Sequence, residues 1–583
     1  MKRSILILAV AVTLTLIFSI GVSASDNGNC GADGSDVKWT FDETMGILKL
    51  SGSGEVKDYT KASGAPWAED YADKIKIVSI DKNITGIGKY AFSGCSAIET
   101  IVFPDGITSL KEGTLYGCSS VKNIIIPNGV EEIGENAFYG CSSLEAINIP
   151  SAVKNIGDNA FWGCGALSAI TVSDGNEKYR AESNCLIETE TKTLIRGTNA
   201  GEIPSSVEIL GKGAFSGCTF TSVTVPESIV YIEECVFEGC KALESITLPF
   251  VGDTRLNKDG EPAVAFGEEN TERGAYLNRL GYIFEKTRRP LDTLKNVIVT
   301  DTEMIGSEAF AGCTDIKTVV LNEDLIVIGD GAFFACAGLG KIEIPYTVER
   351  IGVAAFSGCT GIEAVTVPDK VKYIGSSAFS GCGKLKIVTI GASVESIGNG
   401  FLAGCASLES LEVSKNNETY YSEADCIIEK GKTTLVAGCK NSVIPFGITA
   451  IGEGAFRNCI GLTEITLPSS VAVIEDYAFY NCTALVSVKF PEKIKAVGDY
   501  AFAGCVALSD VKLSKDVEFG ASVFENCVSL KSDSLYVSQT ENAGGIAGGV
   551  GLWIALAVSV PIIAFGGLYA ILVYKKRKNE NNE

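Results

Sequence analysis

The sequence predicts a solenoid: short coils of about 23 residues stacked on a parallel β-sheet. Three observations predict it. Cysteines recur at one interval, as Cys95, Cys118, Cys141 and Cys164, then Cys313 to Cys405, then Cys459, Cys482 and Cys505 are 23 apart within each run. Fifteen such positions exist, and the residue three before each is Phe in thirteen and Leu in two (Leu115, Leu402). Between cysteines the apolar residues keep fixed places. A period of 20 to 29 residues marks an array in which each unit buries its apolar face only against its neighbours.

One unit, Cys141 to Cys164, shows the reading. Leu144, Ile147 and Ile149 alternate as in a short strand. Pro150 ends the strand because it has no N–H for the ladder. Val153 and Ile156 point back inward, and Gly157 permits a turn. Ala160 and Phe161 begin the return, which Gly163 and Cys164 close. Stacking then puts the Phe side chains in one column and Leu, Ile and Val in others. At ~4.8 Å per strand, fifteen rungs extend at least ~70 Å.

The pattern LxxIxIPxxVxxIGxxAFxGC resembles the leucine-rich repeats of the BspA-like family of surface proteins, related to the Treponema pallidum type. The resemblance covers about Ile75–Leu530. It implies an α/β-type solenoid, a leucine-rich repeat superhelix with a parallel β-sheet. It also implies a cell-surface or secreted protein, several family members being adhesins.

In chain order, Met1–Ala24 carries Lys2 and Arg3, an apolar run Ile5–Ile20 and Val22-Ser23-Ala24, the order of a secretory signal peptide. Residues 25–74 resemble the segment that precedes the first repeat in this family, and an end coil needs a cover; Trp39, Leu48, Leu50 and Trp67 are suited to it. Repeats are expected over 75–248, with an extended repeat at 165–218, and over 293–530, with a second at 406–459. Asn176–Gly197 matches Asn417–Gly438 internally, so each extended repeat is expected to add a small strand pair. A charged insertion, 249–292, breaks the period. A linker, 531–549, leads to Leu552–Tyr574, 23 residues without a charge inside an expected transmembrane helix, 550–574. At ~1.5 Å per residue that stretch crosses a ~30 Å hydrocarbon core. Lys575-Lys576-Arg577-Lys578 opens a tail, 575–583, expected to stay cytoplasmic. The expected location is thus a single-pass cell membrane protein with its repeats outside.

Composition narrows the function. The chain has 583 residues, no histidine and a net charge of −22. Without histidine, Ser-His-Asp triads, Cys-His dyads and HExxH zinc sites are impossible. An acidic surface repels phosphate backbones, so nucleic acid is not an expected partner. No cofactor, metal or catalytic residue is expected, and the chain is not read as an enzyme. The fifteen rung cysteines point the same way at one spacing, which suits neither disulfides nor a tetrahedral metal site; they read as small buried hydrophobes. Cys30, Cys185, Cys235, Cys426 and Cys439 lie off the ladder and are candidates for disulfides, Cys426 with Cys439 above all.

One outward position lies between the last two apolar residues of each strand. It holds Val102, Ile125, Asn148, Thr171, Thr224, Thr247, Ile298, Val320, Glu343, Thr366, Thr389, Glu412, Thr466, Lys489 and Lys512. β-branched residues suit exposed strands, and a flat face rich in Thr with acidic spots also suits a protein surface. The expected binding residues are Asn148, Thr171, Thr224, Thr247, Glu343, Thr366, Thr389, Glu412 and Thr466, and the expected partner is an extracellular protein or cell-surface ligand. Two alternatives are glycan binding, for which Tyr139 and Trp162 would be the outward aromatics, and a carboxylate-dependent hydrolase.

Overall fold

A computed structural model describes residues 26–199, 202–261, 278–285, 290–513 and 516–531. The chain divides into two units, Met1–Val537 and Ser538–Glu583, and the described residues all belong to the first. The expected signal peptide, transmembrane helix and tail lie outside the described residues, among which no helix is long and apolar enough to cross a membrane.

The first unit is a β-solenoid of about 18 turns. Each coil has three legs. The first is a strand of two to four residues, such as Ala146–Ile149, which pairs in parallel and in register with Ala169–Val172 of the next coil. Alternation sets its faces: Ile147 and Ile149 are buried and Asn148 is exposed. Proline ends the strand and its carbonyl accepts the N–H three residues on, as Pro368 does from Val371 at 3.2 Å. The second leg is a two-residue strand, and these also stack in parallel, as Arg350–Ile351 on Tyr373–Ile374. The third leg, Ala-Phe-x-Gly-Cys, is a chain of turns.

The third leg corrects the α/β expectation. Among the described residues the α-helical segment is Ala68–Tyr71, ahead of the repeats, and Leu280–Ile283 is a single 3-10 turn. The return cannot be helical because two of its residues per coil take left-handed backbone, one two before the Phe and one two after it. In one coil these are Asn159 (φ 55°) and Gly163 (φ 74°); in another they are Tyr477 (φ 55°) and Asn481 (φ 57°). A right-handed helix admits neither.

The core follows from the stack. Phe310, Phe333, Phe356 and Phe379 are buried, with successive ring centroids 4.9, 5.0 and 5.2 Å apart and planes within 6°. Eleven of the fifteen rung thiols donate to a carbonyl of the preceding coil, ten to a Phe and Cys141 to Leu115, as Cys359 Sγ does to Phe333 O at 3.0 Å. Burial pushes the thiols up, to about 12 at Cys95 and Cys164. All twenty cysteines are free and buried, which corrects the disulfide expectation. Cys426 donates to Ala424 O and Val443 O, and Cys439 lies against Ser442 Oγ, so neither thiol is directed at the other.

The insertion breaks the period of the sequence, yet its described part completes a coil of the stack. Thr254 bridges Tyr231, and the Phe284 ring lies 6.1 Å from Phe237. Cys235 N–H and Phe237 N–H donate to the carbonyls of Tyr282 and Ile283. This coil has no cysteine, so the cysteine ruler passes over it.

Each extended repeat likewise adds a coil, together with an antiparallel hairpin. Tyr179–Glu182 pairs with Cys185–Glu188, which pairs with Thr193–Arg196, and the last joins the second-leg sheet in parallel. Tyr420–Glu423, Cys426–Glu429 and Thr434–Ala437 repeat the arrangement. Asn417 is buried and clamps the turn: its amide donates to Gly391 O and Val394 O, and its oxygen accepts from Thr419 and Tyr420 N–H. The middle strand is buried on both sides. Leu186 belongs to the core before it, while Cys185 and Ile187 belong to the core after it. Ile427 and its neighbours Cys426 and Ile428 divide in the same way.

Ahead of the first coil, Asp36–Asp42 and Ile47–Glu55 form an antiparallel pair, and Ile47–Leu50 continues in parallel onto Ile77–Ile80. Trp39, Leu48, Leu50 and Trp67 are all buried there. Trp67 packs edge-on to Trp39 and donates its Nε1–H to Ala91 O at 3.0 Å.

Candidate binding face

The first-leg strands hold the expected outward residues on one face because register is kept from coil to coil. Thr171 lies opposite Asn148. Thr224, Thr247, Ile298 and Val320 form one unbroken file. Thr366, Thr389 and Glu412 form another, and Thr466 is registered with Lys489. Asn148, Thr224, Glu343, Thr366, Glu412 and Thr466 are exposed, and Thr171, Thr247 and Thr389 are half-buried by their neighbours. The apolar members are exposed as well, Ile125 and Val320 each at 55%.

The side chains along the file touch one another. Thr171 Oγ1–H donates to Asn148 Oδ1 at 2.9 Å, and the Asn148 amide donates to Ser173 Oγ at 3.0 Å. Lys341 Nζ donates to Glu343 at 2.6 Å and holds that carboxyl below the usual carboxylate range. The face therefore offers hydroxyls, amides and branched methyl groups, with charge at few points. It has the chemistry of contact.

Sequence reasoning missed a second file on the same face. Side chains two apart on a strand share a side, and Ser222 with Ser245, and Ala364 with Ile387 and Ser410, are aligned in register. Ile387 is 46% exposed. The period of two was the signal; only its later outward position was read.

The glycan alternative finds its aromatics closed. Tyr116 and Tyr139 stack at 4.6 Å with planes 2° apart, and Tyr139 and Trp162 at 6.4 Å and 4°. Lys61 Nζ covers the Tyr116 ring at 4.3 Å. Trp162 is 7% exposed and lies on Gly213, where an added Cβ would come within 2.2 Å of the ring. Sugar stacking needs an open ring face, and here the faces cover each other. Among the described residues no group of His, Cys, Asp and Glu is placed to hold a metal ion.

Residues 70–186, 197–257, 293–425 and 436–541, more than half of the chain, match the pattern of the family described as BspA type leucine rich repeat region, in six copies. The chain belongs to the BspA-type leucine-rich repeat family. The comparisons indicate no catalytic family. Among solved structures, this BspA-type chain is similar to a leucine-rich repeat protein from Eubacterium ventriosum, at 22% identity and TM-score 0.38, over 57% of this chain and 95% of that one. It is similar to one from Bacteroides ovatus at 22% identity and TM-score 0.37, over 86% and 97%. A leucine rich cell surface protein from Faecalibacterium prausnitzii matches at 21% identity and TM-score 0.23, over 67% and 96%. No curated protein matches the chain.

Proposed function

We propose that this BspA-type protein is exported, anchored in the cell membrane by one apolar helix at residues 550–574, and binds an extracellular protein or cell-surface ligand through its first-leg strand face. The observation that carries the reading is the set of registered files Asn148–Thr171, Thr224–Thr247, Thr366–Thr389 and Thr466–Lys489, whose residues are exposed or half-buried. A rigid file of this kind meets a partner over many coils. Its affinity comes from area and from many weak contacts in parallel. Adhesion is the role that suits it, since a surface-bound array of such faces gains by avidity.

The test is adhesion of cells displaying the full chain to neighbouring and host cells, with Thr224, Thr247, Thr366 and Thr389 each changed to Lys. Unpaired charge on a buried contact is costly, so adhesion is expected to fall with each substitution and to vanish when all four are combined. Adhesion that survives the fourfold variant at equal surface display would refute the strand-face reading. Protease protection of the repeats in intact cells would refute the topology.

A further inference from the structure

The residue directly after each rung cysteine occupies one corner of the coil, between the third leg and the next strand. In the eleven coils from Cys95 to Cys405 that residue is Ser, Thr, Gly, Ala or Lys. In the last four it is Ile460, Thr483, Val506 and Val528. Ile460, Val506 and Val528 are 47%, 39% and 80% exposed. Backbone bonds from Asn458 to Tyr480, Asn481 to Ala503 and Gly504 to Glu525 hold these coils in step, so the four residues form one file. Val486, three residues beyond Thr483 and directly before the strand Ser487–Lys489, adds a further apolar side chain at 48% exposure; its place in other coils holds Glu, Lys, Ser, Thr or Gly.

An exposed apolar edge confined to the terminal coils needs an occupant. Lys531 is the last described residue beside the terminal coil, and Leu552, the start of the uncharged 23-residue stretch, follows after 20 intervening residues. A tether of that length reaches ~70 Å at most. Along the chain these coils are the ones nearest the proposed anchor. We propose that the edge formed by Ile460, Val486, Val506 and Val528 rests on the membrane interface, with the axis of these four coils along the bilayer plane. The proposal depends on the anchoring reading given above. The chemistry is consistent: short branched side chains without charge partition into the headgroup boundary, and a file of four coils presents them along a line of ~14 Å.

The test reconstitutes the full chain in phosphatidylcholine vesicles with p-benzoylphenylalanine in place of Val506, of Val528 or, as control on the same corner of an earlier coil, of Thr360. Vesicle flotation is read first, then the photo-adducts by mass spectrometry. Flotation with lipid adducts at positions 506 and 528 and none at 360 is the expected result. Flotation with no adduct at 506 and 528, or with adducts to this chain or to a second copy, overturns the proposal and leaves the anchor intact. A chain that does not float overturns both.

Discussion

Cys359 shows why the repeat keeps a thiol. Its Sγ–H reaches Phe333 O at 3.0 Å, a carbonyl that faces the interior of the stack. Alanine would leave that oxygen with the Cys336 N–H alone, at 3.1 Å, and open a small void, and valine would crowd the neighbouring coil. We expect Cys359→Ala to cost about 1–2 kcal/mol, measured by urea unfolding. An unchanged midpoint would show the thiol to be mere filling. The same burial sets a pH limit. In the native state Cys95 and Cys164 lose their protons only near pH 12, against 9.0 for an open thiol. Between those values the unfolded chain is deprotonated while the native chain is not. Stability is therefore full below pH 9.0 and falls as pH rises from there toward 12, at about 1.4 kcal/mol per pH unit for each such thiol. Urea midpoints flat from pH 7 to 8 and dropping steeply by pH 10 are expected; a flat profile to pH 10 would contradict this account.

At the scale of the element, the left-handed pair in each third leg carries a cost wherever glycine is absent. Ala335 (φ 58°) holds the place that Gly312 and Gly358 hold in adjacent coils. Ala335→Gly should stabilise the protein by about 1 kcal/mol, read as a higher thermal midpoint; a lower one would mean the side chain contributes packing. Asn417 makes the opposite case. Four hydrogen bonds converge on one buried amide, so Asn417→Ala should cost about 2–4 kcal/mol. Exchange of Ile427 and Ile428 amides with solvent would report the loss first. The coil itself was legible from the sequence, because Phe, Cys and Pro recur at fixed places and each has one steric use. The outward file was legible for the same reason. The turn character of the third leg was hidden, since Tyr90, Cys235, Glu308 and Tyr477 occupy left-handed positions that no propensity assigns to them. The insertion coil escaped because Phe284 stacks without a cysteine three residues on. The adhesive role proposed for Thr224 and Thr247 was not legible, as a β-branched residue on a strand reads alike whether bare or bound.

For the molecule, an array in which each coil rests on the next is only as secure as its end. Trp67 is wholly buried against Trp39, Tyr59 and Phe92. Trp67→Ala should cost about 3–5 kcal/mol. The loss should appear as early melting of the first coils, with the coils around Cys359 still protected in hydrogen exchange. Uniform loss along the chain would argue for a single cooperative body. The strands Cys185–Glu188 and Cys426–Glu429 bear on the same question, since each is flanked by a different core on either side. They work as bulkheads. A protein tethered at one end and gripped at the other carries tension, and a hull with two bulkheads floods one compartment at a time. Pulled in optical tweezers, the chain should lengthen in three abrupt steps whose break points fall at the two bulkheads, so a surface contact under shear would yield by stages before letting go.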